Sequence, residues 1–423
     1  MFRATAGGSW PAIPIFDKLL PGFCMTSTLI SHNVLMVTRE TAADRRYGLG
    51  RSLMPVVTFL EQEGWRVRYL CQQDMPESDR QKRLTWLARL ARLPGFSGKP
   101  GRQLLLSALL ERLHMGWFAA QEAKKENFTA VHLHDPWLAA GFWLALKVRR
   151  IVGVRWGLTE HGFGCYSHAT HEDGLHQGPA VQRWLRRAEA WVLAKADWVT
   201  APTELALRQV ARDLALNRTP PHWVCIPHVC TAMAPVSPAS RDAARSKLGW
   251  QADDQVVLGI GRLVPLKQFD LLIALCADLL PRHPGLLLQL LGEGDTHHLQ
   301  KIADSAGFGR RLRFAVVDDV HIYLQAADIY ASTSSTESFG LANLEAMTAG
   351  LPCVCTAVGG VPEVMGAGAW LLPLAHASLA FALDALLQSP EERQTLAQRA
   401  RLHAAKKPVL DTVAQAYAAI YKG

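Results

Sequence analysis

The sequence of 423 residues lacks any apolar stretch long enough to span a membrane, since the longest candidate, Trp137 to Leu146, is short and is followed by Lys147. Its eight cysteines lack the close pairs that hold zinc, and this scattered usage fits a reducing cytosol. Residues 1–30 lack the charged start, the long apolar stretch and the small-residue cleavage site of a signal peptide. We therefore expect a cytoplasmic protein whose residues 1–30 are disordered or belong to an upstream extension.

Charge is unevenly distributed along the chain. Lys and Arg number 45 against 37 Asp and Glu, and the excess of positive charge lies in residues 1–225. A basic half suggests an acidic partner on that side, although a solvated surface explains the same excess. The apolar content of 49% is that of an ordinary globular protein, and the length predicts two or three domains.

Short apolar runs alternate with amphipathic helical stretches, first over residues 31–228 and again over residues 241–405. This alternation predicts α/β domains in which parallel sheets are covered by helices on both faces. A stretch rich in Pro, Ala and Ser, residues 231–240, is typical of an interdomain linker. The sequence therefore predicts two Rossmann-like domains.

The most informative stretch is residues 334–366, which begins S-S-T-E-S-F-G-L-A-N-L-E-A-M. Its pattern predicts a loop with Glu337 at the carboxyl end of a strand, followed by a helix from Leu341 that contains Glu345. The first amides of that helix point back at the loop and favour an anion there. Two carboxylates placed on either side of a bound phosphate can hold hydroxyl groups.

This stretch resembles the retaining glycosyltransferases of the GT-B fold, family 4, also described as glycosyl transferases group 1. The resemblance rests on two glutamates separated by seven residues, followed by A-G-L-P and V-G-G-V-P-E, and it is densest over residues 256–366. It implies two Rossmann-like domains whose parallel sheets face each other across a cleft. Residues 31–228, with residues 406–423 packing back on them, would bind the acceptor, and residues 241–405 would bind the nucleotide sugar.

The resemblance also implies a reaction. A sugar would move from a nucleoside-diphosphate sugar to an acceptor hydroxyl with retention of the anomeric configuration, in bacterial cell-surface polysaccharide or glycolipid synthesis. The acceptor would be a carbohydrate or lipid-linked, with no nucleic acid involved. No cofactor or metal is expected, because Arg262, Lys267 and the helix end before Leu341 can offset the charge of the diphosphate.

Arg262 follows the predicted strand end Gly259-Ile260-Gly261, and Lys267 lies just before the next helix. Two fixed cations at a strand end suit a diphosphate, since Arg offers forked hydrogen bonds and Lys a point charge. A dinucleotide fingerprint would require a third glycine where the chain has Val264, which disfavours an NAD-linked oxidoreductase. A nucleotide-sugar-binding protein without turnover is the other alternative.

The resemblance assigns roles residue by residue. Catalytic roles fall on His161, Glu337, Arg262 and Lys267. The donor site would include Glu337, Arg262 and Lys267 as well. Its other residues would be Gly48, Gly50, Gly261, Gly292, Gly294, Phe339, Gly340, Leu341 and Glu345. The base is left open among uridine, guanosine and adenosine, because Val316 stands where the family often has glycine.

Two further predicted strand ends suggest residues on the acceptor side of the site. Asp135 and His134 end one predicted strand and could contact the acceptor, but Asp135 beside Pro136 suits a helix N-cap equally well. A lone histidine such as His161 is more often structural, and the resemblance is what favours its contact with the sugar. The histidines of the predicted loop after it lack the spacing of zinc ligands and are interpreted as loop or acceptor contacts.

Residues 80–112 form a basic, aromatic and helical segment with a break at Pro94-Gly95. They hold eight Lys and Arg against one acid, Glu111, and Trp86 lies between the charged and apolar sides of the predicted helix. Such a helix could pack on the sheet with its polar side solvated, or lie on an anionic membrane surface. The second interpretation predicts a peripheral association with the inner membrane.

Overall fold

The computed structural model describes residues 32–41, 48–172, 178–229, 233 and 236–423. The prediction for residues 1–30 lies outside these ranges.

The first half of the chain builds a parallel sheet. Its strands are β1 Asn33–Val37, β2 Arg66–Leu70, β3 Ala130–Leu133, β4 Arg155–Thr159, β5 Trp198–Ala201 and β6 Trp223–Cys225, in the order β2-β1-β3-β4-β5-β6. Its helices are α1 Gly48–Gln62, α2 Glu77–Leu90, α3 Pro100–Lys125, α4 Pro136–Val148, α5 Tyr166–Glu172, α6 Pro179–Leu193 and α7 Glu204–Asp213. The central strands β1, β3 and β5 are buried throughout, as their apolar runs predict for a sheet covered on both faces.

The second half builds a second parallel sheet. Its strands are β7 Gln255–Ile260, β8 Leu286–Leu291, β9 Leu312–Ala315, β10 Ile329–Ser332, β11 Cys353–Thr356 and β12 Trp370–Leu372, in the order β12-β11-β10-β7-β8-β9. Its helices are α8 Pro238–Leu248, α9 Phe269–Leu279, α10 Thr296–Ser305, α11 His321–Ala326, α12 Leu341–Ala349, α13 Val361–Met365, α14 His376–Gln388 and α15 Pro390–Ala404. Single 3-10 turns occupy Gln72–Asp74, Pro265–Lys267, Gly309–Arg311 and Gly366–Gly368. The predicted fold class, two Rossmann-like domains with parallel sheets, is confirmed.

The last helix, α16 Leu410–Lys422, leaves the second sheet and packs on the first. Val413 and Tyr417 join a core cluster with Val34 and Trp65. The buried Tyr421 hydroxyl lies 2.7 Å from Nδ1 of His132 on β3. Apolar positions on one side of the helix account for this packing, because they would otherwise face water.

Three local predictions are wrong. The sequence predicts a loop through Gly48 and Gly50 and a helix from Ser52, whereas helix α1 begins at Gly48 and the Ser52 hydroxyl donates to the Leu49 carbonyl at 2.9 Å. The predicted His-rich loop contains α5, because the Glu189 carboxylate of α6 accepts from the Tyr166 amide at 2.7 Å at the helix start. The linker ends before Pro238, where a capping box on Ser237 starts α8.

No helix within the described ranges combines the length and apolarity that a membrane crossing requires.

Candidate active site

A cavity of about 660 Å³ lies between the two sheets, where residues following the carboxyl ends of both sets of strands meet. Twelve predicted site residues line it: His134, Asp135, His161, Gly261, Arg262, Lys267, Gly292, Glu337, Phe339, Gly340, Leu341 and Glu345. A cleft at the carboxyl ends of parallel strands is the usual ligand position in open α/β sheets. The cavity is therefore the candidate active site.

Two predicted donor-site glycines, Gly50 and Gly294, do not line the cavity. Gly48 and Gly50 lie in the first turn of α1 rather than in a glycine loop. Gly294 packs against Leu263, and a Cβ atom there would lie 2.6 Å from the Leu263 Cβ. Its glycine is required by this contact between two loops of the second domain.

Glu337 and Lys267 form an ion pair on the wall of the cavity. Glu337 also accepts a 3.4 Å hydrogen bond from the Ser334 hydroxyl. The Thr333 hydroxyl donates to the Lys267 carbonyl at 3.0 Å, which fixes the 3-10 turn that carries the lysine. Both side chains are only partly exposed, so their positions are set before any ligand arrives.

Arg262 is exposed at the cavity, and no side-chain partner for it occurs among the described residues. The loop that carries it passes very close to the next strand end. A Cβ atom at Gly292, where φ is 147°, would lie 2.0 Å from the Gly261 carbonyl oxygen. Glycine is thus necessary at residue 292. The exposed guanidinium of Arg262 can meet an anion in the cavity.

Glu345 lies on the second turn of α12 and is largely buried. Burial raises the pKa of its carboxyl to about 7, although an ion pair with Arg51 from α1 opposes that rise. Its Oε2 atom is buried without a hydrogen-bond partner. The group therefore has an unused acceptor beside the cavity.

Arg51 was not predicted as a site residue. It comes from the first domain and reaches Glu345 of the second, so the pair spans the cleft. Its place in the predicted loop beside Gly50 was the available signal, but no local pattern identifies a partner so distant in the chain.

Three imidazoles form a row on the first-domain side, with that of His134 buried and those of His161 and His228 partly buried. His161 Nε2 lies 3.0 Å from His134 Nδ1, and the His161 ring stacks on His228 with centroids 5.8 Å apart. Burial lowers the pKa of all three, that of His228 to about 4. They are therefore neutral near pH 7 and can each donate one hydrogen bond and accept another. His228 was missed, although it follows the predicted strand β6.

The two predicted acceptor residues differ in whether their polar atoms already have hydrogen-bond partners. Asp135 caps α4, accepting from the Trp137 amide at 2.8 Å, and its other oxygen binds Nε of the buried Arg112 at 2.9 Å. These partners make the N-cap interpretation correct for Asp135. The neighbouring His134 keeps its Nε2 atom buried and unpartnered.

Glu160 was also missed. It is buried between Thr159 and His161 at the cavity wall, and its Oε1 atom has no hydrogen-bond partner. Burial first, and then the nearby carboxylates of Glu189 and Asp135, raise the pKa of Glu160 well above its usual range. The raised pKa favours the protonated carboxyl, which can both donate to and accept from a hydroxyl group.

Direct contacts hold the two domains together beside the cleft. The Ser338 hydroxyl donates to the His161 carbonyl at 2.6 Å, and the Ser338 carbonyl accepts from Thr203 at 2.9 Å. The Glu363 carboxylate accepts from the Glu204 and Leu205 amides at 2.9 and 3.0 Å. An acid of the second domain therefore caps helix α7 of the first.

Comparison with known families agrees with this geometry. Residues 240–403 match the profile described as Glycosyl transferases group 1, and residues 47–227 match the Glycosyl transferase 4-like domain. The chain belongs to the group 1 glycosyltransferases. Together the two matches span most of the chain and correspond to its two sheets. Nothing in these matches favours an oxidoreductase.

Curated relatives include the D-inositol 3-phosphate glycosyltransferase of Rhodococcus opacus, 29% identical over 310 residues. That match covers 67% of this chain and 65% of the relative, so the chain spans somewhat less than two thirds of the relative's length.

Among solved structures, Anabaena Alr3699/HepE in complex with UDP and glucose has a TM-score of 0.67 and 18% identity, covering 92% of this chain and 99% of that one. WaaG, a glycosyltransferase involved in lipopolysaccharide biosynthesis, has a TM-score of 0.66 and 19% identity, with coverage of 92% and 100%. The two structures share the GT-B fold with this chain.

Proposed function

We propose that this protein transfers a sugar from a nucleoside-diphosphate sugar to an acceptor hydroxyl with retention at the anomeric carbon. The observation that carries the proposal is the group formed by Arg262, Lys267, Glu337 and Glu345, which line one cavity at one edge of the second sheet. Two cations suit a diphosphate, and two carboxylates suit the hydroxyls of a sugar and a ribose. The structure of Alr3699/HepE holds UDP and glucose in the same fold.

Each residue has a part in the proposed reaction. Arg262 and Lys267 bind the diphosphate, which leaves when the bond between the anomeric carbon and the phosphate oxygen breaks. Glu337 holds hydroxyls of the donor sugar, and Glu345 holds those of the ribose. His161, as a neutral imidazole, orients the sugar from the opposite domain.

The acceptor oxygen then forms its bond on the face from which the phosphate left. Its proton passes to the departing phosphate oxygen, so no protein base is required. The carboxyl of Glu160 and the free nitrogen of His134 suit the hydroxyls of a carbohydrate acceptor. The interdomain contacts beside Ser338 limit the entry of water and thus hydrolysis of the donor.

We also propose that the donor site binds the diphosphate without a metal ion. A thermal-shift screen over nucleoside diphosphates and nucleotide sugars, each with EDTA and with added Mg²⁺, tests both points. A ligand at about a hundred times its Kd should stabilise the protein by roughly 2.7 kcal/mol, equally in both conditions. Stabilisation that requires Mg²⁺ would contradict the metal-free site, and stabilisation by no nucleotide would contradict the donor class.

Turnover separates an enzyme from a binding protein. The nucleotide sugar that gives the largest shift should release its nucleoside diphosphate slowly to water, and faster with an acceptor. Tight binding without any release over days would favour the alternative, a nucleotide-sugar-binding protein.

We further propose that the enzyme docks reversibly on an anionic membrane to reach a lipid-linked acceptor of the cell surface. Helix α2 buries none of its residues, and Leu84 and Trp86 are 51% and 62% exposed. Helix α2 packs on α3 and leaves most of its residues exposed, which supports the interpretation of a surface-binding helix. Arg83, Arg89 and Arg92 lack ion-pair partners in the described part of the chain, so their charges are available to phosphate headgroups.

A further inference from the structure

A group of metal-ligating residue types lies beside the cleft, where β4 leads into α5. It consists of Cys165, His168 and Asp213, whose ligand atoms all lie within 4.8 Å of one another. The Nδ1 atom of His168 is 3.1 Å from Oδ2 of Asp213, which is close to the separation of two such ligands on a tetrahedral zinc ion. Sulfur, nitrogen and oxygen donors thus converge on one point.

The carboxylate of this group is held by contacts that leave its position independent of a metal. The Cys165 amide donates to Asp213 Oδ2 at 2.9 Å, and Gln209 Nε2 donates to Oδ1 at 2.8 Å. At Gly164 a Cβ atom would lie 2.5 Å from Oδ2. Only glycine therefore admits the carboxylate here, and such outer contacts are what orient metal ligands in proteins.

The electrostatic surroundings of the group also favour a cation. Asp213 is buried, and among the described residues no Lys or Arg side chain pairs with its carboxylate. Arg112 is the buried cation among the described residues of this domain. Its Nε atom already donates to Asp135 at 2.9 Å. A buried carboxylate such as that of Asp213 is costly without a compensating charge, and a divalent ion would supply it.

We propose that Cys165, His168 and Asp213 bind a zinc-class divalent metal ion, with water as the fourth ligand. Binding breaks the S–H bond of Cys165, forms the sulfur–metal bond and releases the proton to solvent. The thiolate and carboxylate then balance the charge of the ion. Thiolate and imidazole donors select zinc-class ions over Mg²⁺.

The metal would tie the start of α5 to the end of α7. The loop that leads into α5 and the first residue of that helix include Phe163, Gly164 and Tyr166, which line the first-domain side of the cleft. The metal is thus a positioning element for the acceptor side, separate from the diphosphate contacts. The sequence alone does not predict this group, because Cys165 and His168 are too few to indicate a metal site. The third ligand, Asp213, is distant in the chain.

The test uses the full chain with any affinity tag removed. Its zinc content after purification is measured by mass spectrometry, and metal-stripped protein is titrated with Co²⁺. We expect one ion per chain, and with Co²⁺ a thiolate-to-cobalt charge-transfer band together with the visible bands of a four-coordinate site. An ion bound without the charge-transfer band would be adventitious and would overturn the proposal, as would the absence of any bound ion.

Two single variants separate the site from general damage. Cys165→Ser should abolish the charge-transfer band, and the nearly isosteric Asp213→Asn should weaken Co²⁺ binding at least tenfold. Cys225→Ser, which removes another thiol of the same domain, is the matched control and should leave the band intact. Circular dichroism identifies any variant that fails to fold. A band that persists in Cys165→Ser, or that disappears in Cys225→Ser alone, would overturn the assignment.

Discussion

Glu337 is the residue on which the proposed chemistry depends most directly. Glu337→Gln keeps the shape of the side chain but removes the charge that pairs with Lys267. We expect transfer to fall by roughly 100-fold or more, the usual cost of removing one preorganised contact to the transition state, while the protein stays folded. Rates of product formation measure this, with the exposed Glu61→Gln as control. Turnover near that of the control would remove Glu337 from the site.

Arg262 and Lys267 should contribute to binding rather than to folding. Arg262→Ala and Lys267→Ala each remove a charge-assisted contact to the diphosphate, worth about 1.5–3 kcal/mol, or roughly 10- to 150-fold in affinity. Calorimetric titration with the preferred nucleoside diphosphate measures the change. Lys301→Ala, an exposed lysine of the same domain, should bind as tightly as wild type. Unchanged affinity in both site variants would mean that the diphosphate lies elsewhere.

Glu345 predicts how donor binding depends on pH. Its carboxyl has a pKa of about 7 in the free protein, and Arg51 and the like-charged Asp319 are the charged groups that act on it. Ribose hydroxyls favour the ionised form, so below pH 7 binding must first remove a proton. The imidazoles of His161 and His228 do not titrate there, because burial lowers their pKa values.

Affinity for the nucleotide sugar should therefore fall by up to about tenfold per pH unit below pH 7 and level off above it. Dissociation constants from pH 5.5 to 8.5 give the profile. Glu345→Gln should bind more weakly and without this dependence. A variant profile that parallels wild type would assign the titration to another group.

Sequence reasoning succeeds at this scale where one stretch carries the whole signal. Glu337, Phe339 and Glu345 belong to one strand–loop–helix unit, so their common position could be predicted. Arg51 and His228 reach the same cavity from the other domain, and only the tertiary fold brings them there.

Among the elements, helix α2 carries the clearest prediction. Arg89→Glu with Arg92→Glu should weaken binding to anionic vesicles by at least about 2 kcal/mol, since each basic residue near such a surface contributes about 1 kcal/mol. Co-sedimentation at low salt measures the change, and added salt should weaken wild-type binding as well.

The same charge change on α7, Arg208→Glu with Arg212→Glu, is the control and should leave vesicle binding intact. Trp86→Ala should weaken binding without a change in net charge. Equal binding to neutral vesicles, or none to anionic ones, would favour an acceptor in solution.

Element boundaries depend on contacts that local patterns do not contain. Helix α5 replaces a predicted loop because the carboxylate of Glu189, on the following helix, caps its first amides. Helix α12 was predicted correctly, because Gly340 and Gly350, both with positive φ, mark its two ends. A boundary that residues within the element determine can be predicted from the sequence. A boundary that a neighbouring helix determines cannot.

For the whole molecule, the cap that Glu363 places on α7 is one of the contacts that hold the two domains together. Glu363→Ala removes two hydrogen bonds across the interface, and loss of a helix cap costs about 0.5–2 kcal/mol. The nucleotide-free variant should therefore populate more open arrangements, seen as a larger radius of gyration in small-angle X-ray scattering. The exposed Glu391→Ala should match wild type. An unchanged radius in Glu363→Ala would mean that the remaining contacts suffice.

Helix α16 has a consequence for how the protein is made. The apolar surface around Val34 and Trp65 is covered by residues that the ribosome adds only after the entire second domain. The first domain therefore emerges with this surface still open to water and to other chains. Nascent protein would depend on chaperones until Tyr417 and Tyr421 arrive, and stalled translation products would aggregate rather than persist as a folded half.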